Sequence, residues 1–85
     1  MSKKLSREEI ERKVNDIIVD KLGINPSEVK ADAVLATEFQ ADSLDAVEIC
    51  MELEKEFDID IENELFETAH LLKVSDVYDL VGERL

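Results

Sequence analysis

Among the side chains of this sequence, Ser43 is the one best placed to take part in chemistry. It directly follows Asp42, a natural N-cap, at the start of a helical pattern. Unpaired backbone N–H groups and the positive end of the helix dipole would favour a phosphate ester on its hydroxyl. A serine at a helix start is more often a cap and nothing more, and Ser6 and Ser75 read as caps of that kind. Nucleophilic catalysis by Ser43 would need a base, and the single histidine, His70, lies in a different segment. No glycines of a nucleophile elbow surround the serine, so no catalytic residues are expected.

Metal chemistry finds little support. Asp58, Asp60 and Glu62 occupy alternate positions like the first ligands of a calcium loop. The sixth position is Asn63 rather than glycine, and the twelfth is Ala69 rather than glutamate. No Cys/His cluster suggests zinc. Cys50 is alone, so no internal disulfide forms, and its place in the apolar pattern makes it a packing residue.

The helix expected over 43–57 has two apolar stripes. At about 100° per residue, Ala46, Ile49, Cys50, Leu53 and Phe57 share one arc of ordinary core-facing width. Leu44, Val47 and Met51 fall on a separate arc, with Asp45, Glu48 and Glu52 along one side of it. A small apolar stripe rimmed by carboxylates suits a partner offering a hydrophobic notch ringed by Arg or Lys. The alternative is that these three side chains pack under a loop.

Charge points the same way. The chain of 85 residues carries 22 acids and 10 bases, a formal charge of −12. Residues 1–41 are nearly balanced, but residues 42–67 hold eleven acids against Lys55 alone. Such a field repels nucleic acid and anionic lipid and attracts basic protein surfaces. A solvated acidic face is the plain alternative, although this density exceeds what solubility requires.

These residues need elements to hold them. At 45% hydrophobic and 38% charged, the chain suits one folded domain too small for a second core. Two glycines and one proline leave a vocabulary that favours helices. Ser6 and Glu9 form a capping-box pattern ahead of Ile10, Val14, Ile17 and Ile18, and Leu22-Gly23 supplies the ending. From Gly23 to Ala41 the periodicity fades into a long connection, with one short turn at Asn25-Pro26-Ser27-Glu28. Asp58 to Ile61 alternates like a strand but has no second strand to pair with. The expected fold is all-α, a small bundle of three main helices (6–22, 43–57, 75–84) and one short helix (63–70). Ser75 is expected to cap the last helix, with Val77, Leu80 and Val81 as its buried stripe. No run is long enough to span a membrane, and no signal peptide is visible at Met1 to Lys4. A soluble monomer of the reducing cytoplasm is expected.

The stretch Ala41-Asp42-Ser43-Leu44-Asp45-Ala46-Val47-Glu48 resembles the phosphopantetheine attachment motif of acyl carrier proteins. The likeness continues through Met51, Leu53, Glu54, Glu56 and Phe57, and extends more loosely to Leu22-Gly23 and to Val74-Ser75-Asp76-Val77. It implies an acyl-carrier-like bundle in which Ser43 receives 4′-phosphopantetheine from coenzyme A through a magnesium-dependent phosphopantetheinyl transferase. The arm's thiol would hold acyl groups as thioesters in fatty-acid or polyketide-like synthesis. Asp42, Leu44, Asp45, Val47, Glu48, Met51 and Glu52 would meet the transferase, acyl transferases, ketosynthases and other basic-faced synthase enzymes. Peptidyl or D-alanyl carriers share the serine chemistry, and an unmodified acidic interaction module is a further alternative. Phe39 and Gln40 stand where that family usually has leucine and glycine, Glu62 replaces a common proline, and the 61–74 segment is slightly longer.

Overall fold

A computed structural model describes residues 5–85, and the Met1 to Lys4 start lies outside the described residues. Helix α1 spans Arg7–Leu22. Its capping box is closed in both directions: the Ser6 Oγ accepts from the Glu9 N–H at 3.2 Å, and Glu9 Oε1 accepts from the Ser6 N–H at 3.0 Å. Ile10, Val14, Ile17 and Ile18 are buried, as their spacing requires. Gly23 ends the helix at φ 65°, a left-handed conformation that glycine adopts without strain.

The long connection holds more structure than its sequence suggests. After a 3₁₀ turn at Pro26–Glu28, a five-residue helix α2 forms over Leu35–Phe39. No side-chain cap announces it at Val34, and five residues are too few to display a helical period. The connection is fixed by backbone bonds to the segment before the last helix. Val74 N–H donates to Ala33 O at 2.9 Å, Ser75 N–H to Ala31 O at 2.9 Å, and Leu35 N–H to Leu72 O at 3.1 Å. Ala33 and Leu35 are thereby buried in the common core.

Gln40 ends α2 at φ 59°, in the left-handed region. A side chain there is strained, which is a physical reason for glycine at this position. Gln40→Gly is expected to raise the unfolding free energy by about 0.5–1 kcal/mol, the relief of strain exceeding glycine's greater unfolded freedom. A higher urea midpoint at unchanged slope checks this.

Helix α3 spans Ser43–Phe57, and α4 spans Asn63–Thr68 before a 3₁₀ turn at Ala69–Leu71. Between them, Ile59 and Ile61 are buried while Asp58, Asp60 and Glu62 are exposed. That alternation needs no partner strand, because the Ile61 N–H donates to Glu54 Oε2 at 2.8 Å. No strand forms among the described residues beyond one isolated bridge, Val34 to Lys73.

Helix α5 spans Val74–Arg84, which corrects the expected cap. Lys73, not Ser75, is the N-cap, and its N–H donates to Asp76 Oδ2 at 3.1 Å. A lysine side chain has no acceptor to return, so only half of a capping box exists. Ser75 lies inside the first turn. The three main helices and the short one are all present, with α2 added.

The core is built from α1, α3 and α5, closed by Leu35, Ile59, Ile61 and Ala69. Tyr78 ties α5 to α1, its hydroxyl 2.6 Å from Asn15 Oδ1. Arg7 lies over the Tyr78 ring at 5.5 Å and pairs with Asp79 at 2.8 Å.

Candidate functional site

Ser43 is the first residue of α3 and is exposed. The turn beneath it is set by its two acidic neighbours. Asp42 Oδ1 accepts from the Asp45 N–H at 2.9 Å, and Asp45 Oδ2 accepts from the Asp42 N–H at 3.0 Å. This reciprocal pair is a second capping box, with aspartate where glutamate or glutamine is usual. The Asp45 and Leu44 backbone N–H groups hold the Asp42 carboxyl below the ordinary aspartate range.

One N–H of the expected cradle, that of Asp45, is therefore already taken by the Asp42 carboxylate. A phosphate ester on Ser43 would lie beside two carboxylates, whose like charge disfavours a position against the helix end. The Ser43 side chain is thereby displayed at the surface.

The apolar face behaves as its spacing suggested. Leu44 is 69% exposed and Met51 57% exposed, so neither packs under the connection, and Val47 is half-buried between them. Glu48 is exposed beside them. Asp42 and Asp45 stand at the Ser43 end of the same helix, so Asp42, Ser43, Leu44, Asp45, Val47, Glu48 and Met51 come from one continuous rod. Glu52 is partly drawn away, its Oε1 lying 3.8 Å from Lys21 Nζ on α1. Lys13 and Glu56 make a closer tie between the same helices at 3.1 Å. Neither pair was legible in the sequence, since the contacts join residues more than thirty apart.

The opposite stripe of α3 faces inward. Ala46, Ile49, Cys50, Leu53 and Phe57 are all buried. Burial pushes the Cys50 thiol up to about 11, with the Glu54 carboxylate adding to the effect. It is a packing thiol in the protein, as expected. His70 lies in the 3₁₀ turn after α4, and no group of three or more His, Cys, Asp or Glu able to hold a metal occurs among the described residues. No described helix is long and apolar enough to cross a membrane.

A family model described as a phosphopantetheine attachment site matches residues 12–80. The chain is similar to the acyl carrier protein of Amoebophilus asiaticus, 47% identical over 77 residues that cover 91% of this chain and 94% of the relative. It is 47% identical to the acyl carrier protein of Bdellovibrio bacteriovorus over 68 residues, 80% of this chain and 85% of the relative. Against the acyl carrier protein of Nitratidesulfovibrio vulgaris the identity is 39% over 75 residues, 88% and 96% of the two chains. With the attachment model spanning the bundle and relatives matching nearly end to end, the chain belongs to the acyl carrier protein family, whose domain takes covalent 4′-phosphopantetheine.

Proposed function

We propose that Ser43 is the attachment residue and that the protein carries acyl intermediates in fatty-acid or polyketide-like biosynthesis. The observation that carries this reading is an exposed serine at the first position of α3, with an exposed Leu44–Met51 stripe and carboxylates along the same helix. Once attached, the 4′-phosphopantetheine arm supplies a terminal thiol that holds the acyl group.

This chain's own residues do the rest. Asp42 and Asp45 lock the first turn, so the Ser43 hydroxyl is presented on a rigid support. Their charge keeps the anionic attachment off the helix end and free to reach into partners. Leu44, Val47 and Met51 give a transferase or synthase a small apolar footing, and Asp45, Glu48 and part of Glu52 meet its basic rim. Contacts of this size give fast, charge-steered and short-lived association, which suits a carrier visiting several enzymes in turn. The protein itself performs no catalysis in this account.

Incubation with coenzyme A, magnesium and a broad-specificity phosphopantetheinyl transferase is expected to add one arm to the chain and none to Ser43→Ala. Intact-protein mass reads the result, and matching circular dichroism shows the variant folded. Addition to folded Ser43→Ala would place the attachment on another hydroxyl.

A further inference from the structure

Lys55 is the one base between residues 42 and 67, set among eleven acids. It is exposed, and it lies on the same side of α3 as Glu48 and Met51, about 20° from Leu44 around the helix axis. One turn, about 6 Å along that axis, separates it from Met51. The apolar stripe and its acidic rim therefore run into a positive charge at the end of the helix farthest from Ser43.

Neighbouring carboxylates do not neutralise it. Glu52, three residues earlier and a natural partner on a helix, leans to Lys21 at 3.8 Å, and Glu56 pairs with Lys13 at 3.1 Å. Other bases hold the bundle together: Arg7 pairs with Asp79 at 2.8 Å, and Arg84 with Glu62 at 2.6 Å. Lys55 makes no ion pair among the described residues, so its charge is left for whatever docks on α3. A base in the last turn of a helix also complements the helix dipole. That role acts on stability and gives no reason for a place on the docking arc.

We infer that Lys55 is a specificity-determining residue: the docking face fits enzymes whose basic rim carries a carboxylate opposite the foot of α3, and disfavours those whose rim is basic throughout. The inference rests on α3 being the docking face. Like charges brought together in a contact slow encounter and weaken the complex. Charge that runs from negative near Ser43 to positive at Lys55 also fixes the direction in which a partner lies along the helix, its basic part at the Ser43 end.

The probe is the broad-specificity phosphopantetheinyl transferase, taken as a partner whose rim is basic throughout. Lys55→Gln is expected to raise its kcat/KM about twofold and Lys55→Glu about two- to fivefold, the scale of an exposed charge pair. Both gains should shrink as ionic strength rises. Lys30→Glu makes the same charge change as Lys55→Glu away from α3, and should give less than half its gain. Urea unfolding isolates the structural role: loss of the dipole contact alone lowers the midpoint and leaves loading no faster. Each surface Lys and Arg of the transferase is then replaced in turn by Glu. At least one replacement should raise kcat/KM with the parent chain and lower it with Lys55→Glu. Unchanged or slower loading of Lys55→Glu, an equal gain with Lys30→Glu, or a scan without such a reversal would overturn the inference. If Glu48→Lys with Met51→Ala loads at the parental kcat/KM, the docking face itself is wrong and Lys55 falls with it. If that variant loads slowly while Lys55→Glu is unchanged, only the inference about Lys55 fails.

Discussion

Leu53→Ala is expected to lose about 2–5 kcal/mol of stability, whereas Met51→Ala, two residues away on the same helix, changes it by less than about 0.5. Leu53 is 1% exposed in the centre of the core, and its removal leaves a cavity that packed neighbours close only in part. Domains of this size have little net stability to lose, on the order of 5–15 kcal/mol for folded proteins in general. Leu53→Ala should therefore populate the unfolded state visibly in mild urea. Met51 faces solvent and loses little burial when shortened. Urea unfolding followed by circular dichroism reads both. Equal losses would mean that the two stripes of α3 are not divided between core and surface as described.

The second large effect falls on partner binding rather than stability. Glu48→Lys combined with Met51→Ala is expected to lower kcat/KM for the phosphopantetheinyl transferase by about tenfold or more, with kcat for bound carrier changed less. Glu48 and Met51 are both exposed, and the proposed docking uses the first for charge and the second for apolar footing, so the double variant removes both halves of the proposed contact. Part of the loss should come from slower encounter, and the salt dependence of the reaction should flatten accordingly. Glu28→Lys, on the connection before α2, makes the same net-charge change away from α3 and serves as the control. A double variant with parental kcat/KM and parental salt dependence would remove α3 as the docking face.

Much of this was readable from the chain because local and global signals agree at the main helices. Ser6 with Glu9 and Asp42 ahead of Ser43 mark starts chemically, and the buried residues of α1 and α3 recur at the helical period. The stripe of Leu44, Val47 and Met51 was separable from the core stripe by angle alone. Its exposure was not, because a long connection of unknown path lay nearby. Helix α2 escaped notice because its fixing bonds run from backbone groups of residues 31–35 to residues 72–75, and backbone bonds leave no mark in side-chain type. The N-cap of α5 lies two residues before the expected one for a related reason: a serine invites the N-cap assignment, but the Asp76 carboxylate reaches the Lys73 N–H. The Asp42–Asp45 box had a visible signal, since an acid three residues after an N-cap can reach back. The two carboxylates take the Asp45 and Asp42 N–H groups, so the expected anion cradle is partly occupied. Gln40 and Glu62, noted in the sequence only as departures, acquire physical meaning from a positive φ and from Arg84.

The central claim is that Ser43 bears the arm, and fragmentation mass spectrometry of the enzyme-treated full chain tests it most directly. A single phosphopantetheine on the Ser43 side chain is the predicted result. A folded chain that gains none beside a control carrier that loads, or that gains it on another residue, would contradict the account.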